Sequence, residues 1–273
     1  MASTHRTGRF SDVNGHNKNL TPVYGYLSSA LLPLEMALER VMLLIGNLER
    51  YILVSKRQCH YPSEHGLTRD ESAAVYIYSM DWGEQSLYRV LNQALRDENR
   101  QTIIPWFAYL KLLDTALEKL PTYTGNTWRG ICSDISTNFA KGQALTWWGV
   151  TSCSTSVDVV KSFLKANSTL FLIEAFHGKH ISGYSTYPNE NEVILRPGTR
   201  LNVASGALNH DGGLHVVHLK ELVDDESLLN SQPTFQRSQS LSASSMVSIH
   251  CRSKSGSYFE SSSLILIRFW TGH

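Results

Sequence analysis

EKLPTYTGNTWRGI, the stretch from Glu118 to Ile131, divides the chain into two textures. Its first residues end the run IIPWFAYLKLLDTALEKLP, which reads as helix. Pro121 stops that helix, because proline has no N–H to donate and restricts the residue before it. Beyond Pro121, TYTGNTWRGI reads as a strand. Upstream, as far as Leu31, the pattern is helical. LPLEMALERVMLLIGNLERYILVSK carries Leu34, Ala37, Leu38, Val41, Leu44, Ile45 and Leu48 at the spacing of one helix face. Thr68-Arg69-Asp70-Glu71 has the form of a capping box, which predicts a helix burying Ala74, Ile77 and Tyr78. SLYRVLNQALRDEN predicts another. Downstream, QALTWWGVTSCSTS, STLFLIEAF, NEVILRPGTRLNVASGAL and GLHVVHLKEL are strand-like. Among them, SVDVVKSFLKAN predicts one short helix with Val159, Val160 and Phe163 inward. Helices first and strands second is the order of an α+β fold, not of an alternating doubly wound sheet.

Composition narrows the function classes. The 273 residues, 42% of them hydrophobic, suffice for one large or two small domains. A net charge of +1, from 25 basic and 24 acidic residues, gives no basic excess for nucleic acid. Residues 1–20 are polar and lack the apolar core of a secretory signal, so a flexible arm is expected there and a cytoplasmic location is slightly favoured. Residues 225–273 read as a Ser-rich tail with an apolar end, LILIRFW, too short to span a bilayer. The organisation expected is an arm at 1–20, a helical lobe at 21–121, a β-rich core at 122–224 and a tail at 225–273. Cys59, Cys132, Cys153 and Cys251 form no C-x-x-C pair and no zinc pattern; one or two disulfides stay open, and buried free thiols are the expectation favoured over them.

Several chemistries fail on the residues. Gly125 and Gly130 are followed by Ile131 where a phosphate loop needs lysine. No G-x-S-x-G elbow occurs. His210, His215 and His218 lie in a segment that favours strand, which sets His215 and His218 on opposite faces, so no metal site is expected.

Three polar features remain. Arg129 sits in Trp128-Arg129-Gly130. Val150-Thr151-Ser152-Cys153-Ser154-Thr155-Ser156 is a hydroxyl-rich strand end, whose ordinary use is helix capping by Ser154 or Ser156. Glu190-Asn191-Glu192 follows a Pro188-Asn189 turn and precedes the apolar Val193-Ile194-Leu195. If the strand already runs through both glutamates they point the same way. Two like charges on one face repel, which invites a use for both, in acid–base or cation-stabilising work.

The ordered set of arginine, serine strand and E-x-E resembles the arginine-type branch of the ADP-ribosyltransferase family, which includes cholera-toxin-like toxins and vertebrate ecto-enzymes. The resemblance covers roughly Leu31 to Leu222 and includes GLTRDESAAVYIYS, WWGVTSCSTSVDVVKSF and STLFLIEAFHGKHISGYSTYPNENEVILRPGTRLNV. Counted back from Val159, Val160 and Phe163, the family's aromatic-Thr-Ser-Thr-Ser segment falls on Val150 to Ser154. That makes Ser152 the working serine, with Ser154 the alternative. Val150 stands for the usual Phe, and Cys153 for the middle Thr.

The resemblance implies a helical lobe packed on a core of two roughly perpendicular β-sheets around a cleft for NAD, which is consumed and not retained. It implies Arg129 on the NAD phosphates, where a guanidinium forms paired hydrogen bonds. Gly130 would let the backbone approach the nicotinamide amide. Ser152 would hold Glu192 and touch the ribose. Glu192 would stabilise the oxocarbenium-like sugar. Phe163 would face the nicotinamide ring, with a plain place in the helix core as the equal alternative. Glu190 would bind the acceptor arginine, and Tyr187 would contact the acceptor protein. The expected activity is mono-ADP-ribosylation of arginine on an acceptor protein by a monomer that needs no metal, nucleic acid or membrane span. An NAD glycohydrolase on the same fold is the nearest rival, and an inactive NAD-binding or protein-binding module the next.

Overall fold

The computed structural model of the chain describes residues 8–11, 20–23, 25–162, 164–210 and 213–223. Phe163 and the tail at 225–273, with its LILIRFW end, lie outside the described residues. A single helical turn, α1 (Gly8–Ser11), comes first. The helical lobe then comprises α2 (Leu34–Leu38), α3 (Leu48–Gln58), α4 (Arg69–Ser79), α5 (Leu87–Leu95) and α6 (Phe107–Lys119). No helix among the described residues is long and apolar enough to cross a membrane.

The stripe from Leu34 to Leu48 does not lie on one helix. After α2 the chain tightens into 3-10 turns over Glu39–Leu44, and Asn47, at φ 59°, takes the left-handed conformation just before α3. An asparagine tolerates that region better than other non-glycine residues. The stripe is still buried at Leu34, Ala37, Leu38, Val41, Ile45 and Leu48, but Leu44 is exposed, because three residues per turn move it off the face that 3.6 would give. Pro105 has a similar effect. The run IIPWFAYL begins as a 3-10 stretch, Arg100–Trp106, and becomes α-helix only at Phe107. The capping box forms as the sequence predicts: Thr68 Oγ1 accepts from the Glu71 N–H at 3.2 Å, and Glu71 Oε2 accepts from the Thr68 N–H at 2.7 Å. Glu71 also pairs with Lys119 at 2.6 Å, tying α4 to α6.

The β half contains β1 (Thr122–Ile131), β2 (Ala144–Trp147), β3 (Thr151–Ser154), β4 (Ser168–His180), β5 (Glu192–Leu195), β6 (Thr199–His210) and β7 (Leu214–Glu221), with α7 (Val157–Lys161) after β3. Their order is β1-β3-β5-β4-β7-β6-β2, and β1 also pairs with β4. β4 is long enough to serve both ends of this system. Its Ser168–Glu174 portion runs parallel to β7, whereas Lys179 and His180 pair antiparallel with β5. The two expected sheets are therefore hydrogen-bonded through one strand, and the α+β arrangement of lobe and core stands.

Two apolar clusters hold this together. One fills the helical lobe and reaches Val150, Ile181, Tyr184 and Ile194 of the β half. The other lies within the β half, where Phe171 meets Phe139 and Trp147 edge-on at 5.0 and 5.6 Å between ring centroids. Neighbours on β5 divide between them, Ile194 facing the lobe cluster and Leu195 the other, as strand alternation requires.

Polar contacts fasten lobe to core around Val150. The buried Asn92 of α5 accepts from the Val150 N–H at 2.9 Å and donates to its carbonyl at 3.0 Å, where Tyr78 of α4 also donates at 3.0 Å. Asn92→Ala keeps Tyr78 on the carbonyl but leaves the Val150 N–H orphaned. An unsatisfied buried donor costs about 1–3 kcal/mol. Urea unfolding of this variant is expected to show a loss of that size, with its midpoint lowered and its slope unchanged.

Candidate active site

Three strands that are neighbours in space carry the candidate residues. Arg129 is on β1, Ser152 and Ser154 on β3, and Glu192 opens β5. The β1–β3–β5 order sets them side by side, with Trp128 opposite Ser154 and Ser154 opposite Glu192. All four polar side chains are buried.

The two glutamates do not share a strand. Glu190 closes a 3-10 turn, Pro188–Glu190, and Asn191 at φ 49° reverses the backbone before β5 begins at Glu192. Serine side chains fix this corner. Ser154 Oγ donates to the Glu190 carbonyl at 2.7 Å and accepts from the Ser156 N–H at 3.0 Å. The Thr155 N–H reaches the Asn191 carbonyl at 3.1 Å. Though off one strand, Glu190 and Glu192 still converge.

They converge on Arg9. Its Nε donates to Glu192 Oε1 at 3.3 Å, and its Nη2 donates to Glu192 Oε2 at 3.2 Å and to Glu190 Oε2 at 2.6 Å. Nη1 donates to the carbonyl of Ser79, the last residue of α4. Carbonyls in the last turn of a helix lack intrahelical partners, and that end carries partial negative charge, so α4 aims a third acceptor at the cation. The Tyr187 ring lies 5.0 Å from Arg9 Cζ, within cation–π range. Burial opposes the charge of this guanidinium, but Glu192 and Glu190 overcome that and raise its pKa above the ordinary arginine value. The expectation of a flexible arm therefore fails for Gly8–Ser11, where Arg9 and Phe10 are both fully buried. The ion pairs that seat the turn are its physical reason.

Arg129 Nη1 donates to the carbonyls of Ser152 and, at 2.9 Å, Arg9. The hydroxyl on Glu192 is that of Ser185, which donates to Oε2 at 3.1 Å. Ser152 sits opposite Ile194, two residues along from Glu192, and its Oγ is 3.5 Å from the Tyr78 hydroxyl. At Gly130 a β-carbon would come within 2.5 Å of Leu164 Cδ2 and 2.9 Å of Val160 Cγ1, so the glycine admits the α7 segment close to β1. His215 and His218 face separate carboxylates, Asp134 at 3.4 Å and Glu174 at 2.8 Å, and no metal-holding cluster occurs among the described residues. A cavity of about 300 Å³ beside Tyr26, Trp148 and Pro197 contains none of these candidates.

Arg9, Ser79 and Ser185 were not singled out by the sequence. Ser185 offered a signal, a hydroxyl in the same loop as the glutamates. Arg9 offered none, being one arginine in a polar segment far from its partners along the chain.

The profile of the NAD:arginine ADP-ribosyltransferase family (ART) matches residues 46–227. That is well over half the chain, and the chain belongs to this family. It is 32% identical over 158 residues to Tre1 of Serratia proteamaculans, named a NAD(+)–protein-arginine ADP-ribosyltransferase; the match takes in 56% of this chain and 32% of Tre1. Mav of Mycobacterium avium is 30% identical over 164 residues, 59% of this chain and 19% of Mav. The chain thus spans a third or less of the length of these relatives. Among solved structures, the ADP-ribosyltransferase HopU1 of Pseudomonas syringae superposes with a TM-score of 0.51 at 21% identity, over 65% of this chain and 97% of that one. The eucaryotic mono-ADP-ribosyltransferase ART2.2 gives 0.52 at 18%, over 70% and 85%. These two establish a common fold.

Cys153 tests the packing of β3 from its other face. It belongs to the apolar cluster within the β half, and burial pushes its thiol up to about 12. A thiol must ionise to react. Cys132, expected as a buried thiol, is exposed, so iodoacetamide at pH 8 is expected to label it and spare Cys153 until the chain unfolds, as read by peptide mass spectrometry.

Proposed function

We propose that this member of the NAD:arginine ADP-ribosyltransferase family moves one ADP-ribose from NAD to an arginine side chain of an acceptor protein and releases nicotinamide. The observation that carries the reading is the grip of Glu190 and Glu192 on one guanidinium, beside a second buried arginine, Arg129. A site that holds a guanidinium on two carboxylates and a helix-terminal carbonyl has the chemistry to select arginine. The name of Tre1 supports the same acceptor.

In this reading Arg129 binds the NAD phosphates through its planar fork. Glu192 faces the nicotinamide ribose. As the bond from C1′ to the nicotinamide nitrogen breaks, nicotinamide leaves with the electron pair and positive charge develops on the sugar. A buried carboxylate fixed in advance stabilises that charge without reorganising, and Ser185 helps fix it. Glu190 binds the acceptor guanidinium, turns one nitrogen toward C1′ and takes its proton as the new N–C1′ bond forms. Ser154 holds the corner that carries Glu190, and Ser152, through its carbonyl, helps orient Arg129. NAD is a consumed substrate here, and a single chain supplies every group.

The two carboxylates should then respond differently to the same change. Glu192→Gln keeps the shape and removes the charge, so nicotinamide release and labelling of agmatine should both fall by roughly a hundredfold or more. Glu190→Gln should abolish agmatine labelling while much of the NAD cleavage by water persists. Labelled NAD with agmatine, followed for both products in parallel, measures this. Equal loss of both activities in Glu190→Gln contradicts the division of roles. Nicotinamide release without labelled agmatine in the unaltered chain points to a glycohydrolase.

Arg129→Ala removes a charge-assisted contact worth about 1.5–3 kcal/mol, and calorimetry should show NAD affinity weakened accordingly.

A further inference from the structure

Arg9 occupies, by itself, the groups that the proposed reaction needs for two different substrates. Its guanidinium covers Glu192, assigned to the NAD ribose, and Glu190, assigned to the acceptor. Its backbone carbonyl takes Arg129, assigned to the NAD phosphates. Its side chain is wholly buried, and the neighbouring Phe10 is buried too. NAD cannot use Arg129 and Glu192 in this arrangement.

We propose that Arg9 is an intramolecular pseudo-acceptor, an arginine of the chain's own Gly8–Ser11 turn that occupies the site and excludes NAD until that turn withdraws. The proposal rests on the reading of the site given above. Three features suit it. The guanidinium is bound as an acceptor's would be, on Glu190 at 2.6 Å and against the ring of Tyr187. It is tethered, so it competes at a high effective concentration without needing high intrinsic affinity. The contact is also reversible in principle. Burying an ion pair removes both partners from water, and that cost offsets much of their attraction. A plug held by such ion pairs and one buried ring can therefore yield to a competing substrate.

If the segment occupies the cleft for nine-tenths of the time, only the remaining tenth of the molecules can bind NAD, and the apparent dissociation constant rises about tenfold. Removing the plug restores the intrinsic affinity, lowering KM for NAD while leaving kcat, set by residues that stay in place, largely unchanged. A merely structural role for Arg9 would instead lower activity along with thermal stability.

The test uses the full chain and two variants, Arg9→Ala and Phe10→Asp. The second leaves Arg9 intact and ejects the segment by placing a charge where an apolar ring is buried, so it serves if loss of the ion pairs prevents folding. NAD binding is measured by calorimetry and nicotinamide release by steady-state kinetics. The expected result is NAD bound about tenfold or more tightly by either variant, with KM reduced in step and kcat held. Equal NAD affinity in the parent and both variants overturns the plug and leaves the proposed reaction standing. If neither the parent nor the folded variants bind NAD or release nicotinamide, the plug and the reading of the site fail together.

Discussion

A cation between a buried and a half-buried carboxylate is the contact on which the polar groups of β1, β3 and β5 converge. Glu192 has no exposed side-chain surface and Glu190 has little. Two like charges this close repel, and a positive partner between them offsets that repulsion: every nitrogen of one guanidinium is engaged by Glu190, Glu192 or the Ser79 carbonyl. The sequence places the carboxylates, and the fold supplies what makes them tolerable together.

The scaffold achieves this by giving each strand two faces with separate duties. On β3, Cys153 packs among aromatic and aliphatic side chains while Ser154 beside it fastens the Glu190 corner. On β5, Ile194 joins the lobe cluster and Leu195 the other. The helical lobe supplies the end of α4, whose Tyr78 and Ser79 reach Val150 and Arg9. A shift of α4 relative to β3 would disturb both the fastening and the third acceptor of the cation site. Packing and chemistry are coupled through these few contacts.

Local signals set the order of elements. The capping box at Thr68, the stop before Pro121 and the strand character of TYTGNTWRGI each depend on residues within one turn or one strand, and each appears where the pattern predicts it. The split of the Leu34–Leu48 stripe was less legible, because an apolar spacing does not distinguish 3.6 residues per turn from a 3-10 stretch ended by Gly46-Asn47. Arg129, Ser152, Ser154, Glu190 and Glu192 were found by type and order, and the strand order brings them together. The finer partnership was not legible. Ser185 rather than a serine of β3 bonds Glu192, because register places Ser152 opposite Ile194 and the Glu190 corner takes the hydroxyl of Ser154. Arg9 was invisible because its partners lie 181 and 183 residues away, and a lone arginine in a polar segment carries no pattern.

The arginine side-chain signals of the full chain test the cation site most directly. Nitrogen-resolved NMR of the Arg9 Nε–H, assigned by loss of the peak in Arg9→Lys, reports whether that proton is held on Glu192. The account predicts a resolved Arg9 resonance protected from exchange with water, and loss of that protection in Glu192→Gln. An Arg9 Nε–H that exchanges as freely as those of exposed arginines, and does not respond to Glu192→Gln, would contradict it.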